Sequence, residues 1–140
     1  MLTNKARDQL KNQLKRHEGV KYELYCCTAG KQTIGVGRNL DDLGISDDEV
    51  MYLLDNDVSR VEQELLKNIP TLNGHSENRQ IVLNNMAFNL GINRLMKFKS
   101  MLKALEAQDY QSAANEMLDS LWARQVGQRA EELAEMMRKG

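Results

Sequence analysis

A chain of 140 residues is long enough for one hydrophobic core and buries about two thirds of the surface that its unfolded form exposes. A net charge of −1 excludes a general attraction to nucleic acid, and two adjacent cysteines, Cys26 and Cys27, exclude a disulfide framework and fit a reducing compartment. No run approaches the roughly 20 apolar residues of a membrane span, and "MLTNKARDQLKNQLK" at the start lacks the apolar centre of a secretory signal, so a chain made in the cytoplasm without membrane insertion is expected.

Ala6, Leu10 and Leu14 recur at four-residue spacing and predict an amphipathic helix over about 4–17, with Glu18 at its C-terminal end. A carboxylate there faces the unfavourable end of the helix dipole, a cost often tolerated where a side chain has chemistry to do. From Tyr22 to Val36 the pattern turns short, aromatic and β-branched, and "TAGK" at 28–31 supplies a turn, so a hairpin is expected. Gly35 and Gly37 weaken a strand and mark a bulge or a close backbone approach.

Ser46 and Glu49 form a capping box, after which Val50, Leu54, Val58, Val61 and Leu65 run as a helical stripe up to Pro70. "TLNGHSEN" at 71–78 reads as a polar loop with His75 exposed. Helices are then expected at about 77–90, 94–106, 109–121 and 128–138, with Gly91 and Asp109 as boundary signals. Strands and helices are segregated along the chain, which argues for an α+β fold and against a doubly wound parallel sheet. A small sheet lobe over about 16–45, a connecting helix over 46–70 and a helical lobe from 1–15 and 71–140 would make one domain with a cleft between its lobes.

Charge is unevenly placed: Lys and Arg outnumber Asp and Glu by 8 to 3 over residues 1–40, the ratio is 2 to 9 over 41–70, and 9 to 8 over 71–140. The acidic block coincides with the outer face of the long helix, which a solvated surface explains. Only the basic first 40 residues favour nucleic acid as a partner, and no such partner is expected. His17 stands alone beside Glu18 and supports no metal site, and no cofactor is called for.

Glu18, Cys27 and Thr33 are each unremarkable singly, but their order is not. "EG" at 18–19, Cys27 nine residues after the glutamate and Thr33 fifteen after it, inside "TIGVG", together resemble the bacteriophage-type, T-even-like lysozyme or endolysin family. That pattern is a glutamate closing the first helix, an aspartate nine residues on, and a threonine within a TxGxG run. The resemblance continues through "RNLDDLGISDDEVMYLLDNDV" at 38–58, "NNMAFNLG" at 84–91 and "SLWARQVGQRAEEL" at 120–133. It implies a lysozyme-like fold and a muramidase that hydrolyses the β-1,4 bond between N-acetylmuramic acid and N-acetylglucosamine in bacterial peptidoglycan. A monomer is expected, released to the cell wall through a holin or delivered by another machine.

Glycosidic cleavage needs one acid to protonate the leaving oxygen and a second group to activate water or stabilise positive charge. The resemblance gives Glu18 the first role and Thr33 the holding of a water, while Cys27 stands where the family has aspartate. Three readings of Cys27 stay open: a thiolate acting as base, stabiliser or nucleophile, a neutral thiol that only positions water, or an inert residue marking a degenerate enzyme. Neighbouring strand residues face opposite ways, so Cys26 is expected to pack into the core or the back of the sheet. A non-hydrolytic wall-binding or regulatory domain is the competing function.

Asn85 and Asn89 are four residues apart, hence on one helix face, and by the resemblance offer amides to sugar acetamido or peptide groups. Gln125 and Arg129 repeat the spacing. Arg129 either meets a peptidoglycan carboxylate or serves as a helix cap or surface ion pair.

Overall fold

The computed structural model describes residues 1–140, and they form two compact units, Met1–Met51 and Tyr52–Gly140. The first unit opens with α1 (Asn4–Glu18), capped by the Thr3 hydroxyl, which accepts from the Ala6 amide at 3.1 Å. Gly19 ends the helix at φ +77°, and its amide closes on the Lys15 carbonyl. No residue of α1 is buried. Lys15, Arg16 and His17 complement the dipole in its last turn, and Glu18 opposes it.

The expected hairpin is present: β1 (Lys21–Cys26) and β2 (Gln32–Gly35) pair antiparallel, and β3 (Arg38–Asn39) adds to β2 in the order β1-β2-β3. Lys21 pairs with Gly35 and Tyr25 with Thr33, so four residues of β1 span two of β2 and the register shifts between them. The extra residues lie in β1, opposite the end of β2 at Gly35, rather than at the glycines themselves. Between the strands, Cys27 donates its amide to the Lys31 carbonyl and accepts from the Gly30 amide, both at 2.9 Å.

A short helix absent from the sequence reading, α2 (Leu40–Leu43), is capped by Asn39, which accepts from the Asp42 amide at 3.1 Å. Its Asp41 accepts from the Gln32 amide at 2.7 Å, and its Asp42 pairs with Lys31 at 3.2 Å, which ties α2 to the start of β2. Helix α3 (Asp47–Asn68) begins with the expected box: Glu49 accepts from the Ser46 amide at 2.8 Å, and Ser46 from the Glu49 amide at 3.4 Å.

The second unit is helical. After a 3-10 turn at Leu72–Gly74 come α4 (Glu77–Leu90), α5 (Ile92–Leu95), α6 (Lys99–Glu106), α7 (Tyr110–Leu118), α8 (Leu121–Val126) and α9 (Gln128–Lys139). The single helix expected over 94–106 is broken, because Phe98 leaves helical backbone at ψ 61° and sets its ring edge-on to Trp122 at 6.3 Å. The helix expected to reach residue 121 stops at Leu118, because Asp119 also leaves helical backbone at ψ 61° and Ser120 caps α8 instead. The core gathers Leu65, Val82, Leu83, Met86, Met101, Leu105, Met117 and Met137. Ala113 and Ala114 of α7 and Ala130 and Ala134 of α9 are buried where those two helices pack, small side chains that permit close approach. No helix is long and apolar enough to cross a membrane.

Candidate active site

Glu18, Cys27 and Thr33 all lie in the first unit. Glu18 is exposed at the end of α1, and its carboxylate lies against the bare Cα of Gly37: a Cβ built there would meet Oε2 at 3.1 Å. Gly37 thus makes the close backbone approach that its place in a strand pattern suggested.

Thr33 is 3% exposed, the one polar side chain buried in this unit, and its hydroxyl donates to the Lys31 carbonyl at 2.9 Å. Cys27 follows the end of β1 and is half-buried. Its thiol is lowered below the ordinary range, chiefly by the Lys31 backbone, then by the Ala29 backbone, with the Thr33 hydroxyl contributing less; partial burial opposes them. The backbone of the turn from Cys27 to Lys31 thus surrounds the sulfur with a field that favours the thiolate, a nest in that electrostatic sense. The Thr33 hydroxyl carries one proton, to be shared between the Lys31 carbonyl and that sulfur.

Cys26 does not pack into a core. It is exposed, and its sulfur receives the Gln32 side-chain amide at 3.4 Å. β1 is an edge strand exposed at nearly every residue, so Cys26 has no core face to turn to.

Arg38 follows Gly37 and pairs with Glu49: its two terminal guanidinium nitrogens each reach a carboxylate oxygen at 2.9 Å, and one also donates to the Gly44 carbonyl at 3.0 Å. Glu49 is consequently pulled down to about 2, first by Arg38 and then by Ser46. The capping box was legible in the sequence, and this second use of its glutamate was not, since Arg38 lies eleven residues away.

The remaining expected residues lie in the second unit. Arg129 of α9 donates through Nε at 2.9 Å and Nη2 at 2.7 Å to one oxygen of Asn85, on α4. Arg129 belongs to no ion pair, and both residues line a groove of about 590 Å³ together with Leu54, Val58, Ile81 and Phe88. Asn89 accepts the Trp122 indole N–H at 2.8 Å. Both asparagines therefore spend their carbonyl oxygens within the fold and keep their amide N–H groups, while Gln125 is exposed on α8.

His75 corrects the sequence reading: it is 6% exposed rather than solvated, and Nδ1 lies 2.7 Å from the Tyr110 hydroxyl. The 3-10 turn buries Leu72 and turns the following residue inward with it. Arg79 lies over the Tyr110 ring at 3.4 Å and donates to the Met137 and Arg138 carbonyls at 2.8 and 3.0 Å, so it caps α9.

A helix and a small antiparallel sheet in the first unit, with a helical second unit, make a lysozyme-like α+β protein. The chain belongs to the phage lysozyme family, whose model matches residues 15–139, and membership carries a lysozyme-like function. It is 29% identical over 161 residues to probable T4-type lysozyme 1 of Dictyostelium discoideum, with 94% of each chain covered. It is 28% identical over 120 residues to the endolysin of Acyrthosiphon pisum secondary endosymbiont phage 1, covering 83% of this chain and 80% of that one. The pre-baseplate central spike protein Gp5 of Enterobacteria phage T4 is 27% identical over 145 residues, which span 84% of this chain and 25% of that protein.

Proposed function

We propose that the chain is a muramidase that hydrolyses the β-1,4 bond between N-acetylmuramic acid and N-acetylglucosamine in bacterial peptidoglycan, made inside a host cell and brought to the wall at lysis. The observation that carries this reading is the Glu18 carboxylate resting against Gly37, in the turn that follows the strand holding Thr33, in a unit that also holds Cys27. The endolysin relative supports the lytic role.

Glu18 in its protonated form gives its proton to the glycosidic oxygen as the bond from that oxygen to the anomeric carbon breaks, leaving a carboxylate and an oxocarbenium-like centre. A water attacks that centre and the Cys27 thiolate takes the water's proton, while the buried Thr33 hydroxyl, donating to the Lys31 carbonyl, fixes the turn that presents Cys27. Solvent exchange then returns the proton to Glu18 and removes it from sulfur. The lowered thiol favours this thiolate reading of Cys27 over a neutral or inert one. Asn85 and Asn89 offer their amide N–H groups to sugar acetamido or peptide carbonyls, Gln125 is exposed on α8 and free to offer its amide likewise, and the unspent donors of Arg129 meet a peptide-stem carboxylate.

Clearing of a bacterial cell-wall suspension tests the reading. Wild type clears it, Glu18→Gln falls by about 100- to 10,000-fold, the range lost with a general acid, and Cys27→Asp keeps activity that Cys27→Ala loses. Wall binding without clearing would instead establish a non-hydrolytic domain.

A further inference from the structure

Gly35 closes β2 and Gly37 lies in the turn before β3, and both have positive φ, +68° and +67°. An L side chain at either is strained by its positive φ. What differs is the surroundings. A Cβ on Gly35 meets nothing within 4 Å, whereas one on Gly37 meets Glu18 Oε2 at 3.1 Å, Cδ at 3.4 Å and Cγ at 3.5 Å.

Contact with the terminal oxygen at that distance is closer than ordinary van der Waals separation. The side chain that must give way is an exposed glutamate at a helix end, free to swing. The cost of a Cβ is therefore paid in the position of the carboxyl group rather than in the fold. We propose that Gly37 is a positioning residue for Glu18, its missing Cβ defining where the acid's oxygens rest. This rests on the reading of Glu18 as the catalytic acid, although the positional part stands without it.

The two glycines supply their own control. Gly35→Ala and Gly37→Ala are expected to shift the urea midpoint by similar amounts, while only Gly37→Ala displaces the ¹³C resonance of the Glu18 carboxyl. Gly37→Ala is expected to lower kcat on soluble peptidoglycan fragments by about 3- to 10-fold, less than the roughly 100-fold of a 1 Å misplacement because the carboxyl yields by only part of an ångström, with KM within about twofold. Gly35→Ala is expected to keep kcat within about twofold on the same grounds. In Glu18→Asp, whose carboxyl is withdrawn by one methylene, adding Gly37→Ala is expected to leave the remaining kcat unchanged.

Equal losses at both glycines would make backbone strain the cause and overturn the proposal, as would an unmoved Glu18 resonance in Gly37→Ala. A resonance that moves only in Gly37→Ala while wild type cleaves nothing would sustain the positioning role and sink the muramidase reading.

Discussion

Arg129 holds Asn85 through two hydrogen bonds to a single oxygen, at 2.9 and 2.7 Å, and so joins the start of α9 to the middle of α4. Both donors come from one rigid fork, a geometry that lysine does not reproduce. Arg129→Lys is expected to lower the unfolding free energy by about 1–3 kcal/mol, the cost of a part-buried acceptor left without a charged donor. Urea denaturation measures it, and a double-mutant cycle with Asn85→Ala should return a coupling of at least about 0.5 kcal/mol.

The Cys27 nest predicts reactivity. In a Cys26→Ser background, alkylation of Cys27 by iodoacetamide should rise with pH around a midpoint below the roughly 8.5 of a free thiol. Thr33→Val should move that midpoint upward, because one of the donors to the sulfur is gone. A midpoint at or above the free value would contradict the nest.

His75 predicts a pH dependence of stability. Burial, and then the Arg79 cation, lower its folded-state value beneath that of the unfolded chain. Nε2 is buried with no partner, so protonation adds a second N–H with nothing to bond and a like charge near Arg79. The neighbours that face the ring are the Tyr110 hydroxyl and that guanidinium. Stability from this group is therefore complete above about pH 6.5, the unfolded value, and declines as pH falls below it. Between pH 7 and 5 the unfolding free energy of wild type should fall more steeply than that of His75→Gln.

Glu49 acts at lower pH. Its value of about 2 lies below the ordinary carboxylate range because Arg38 and Ser46 bind the charged form. Its contribution is present above about pH 4.3, the unfolded value, and is lost as pH falls from there toward 2. Glu49→Gln should flatten acid unfolding of the first unit across that window, followed by amide exchange at Arg38 and Gly44. An unchanged profile would show the ion pair to be idle.

Local physics made much of this molecule readable in advance. Four-residue apolar spacing gave α1 and α3, the Ser46–Glu49 box located the start of α3, and the turn at 28–31 with its flanking β-branched residues gave the hairpin. Glu18, Cys27 and Thr33 were picked out as a set by the resemblance of their order and spacing to the phage-type lysozyme pattern, and all three lie in the first unit. The residues within one stretch of chain see each other before any fold exists, so sequence alone specifies them.

What the chain order does not contain is which distant group arrives beside each side chain. Phe98 meeting Trp122 broke a helix that periodicity carried through, and Tyr110 drew in a histidine that its polar neighbours placed in solvent. The place of β1 at the edge of the sheet left Cys26 exposed, and only the folded turn set Gly37 against Glu18. Elements, their caps and the reactive residue types were determined by the sequence itself, because these depend on neighbours a few residues away. Burial, partner and charge state were decided by tertiary structure, because each is a property of the space around an atom.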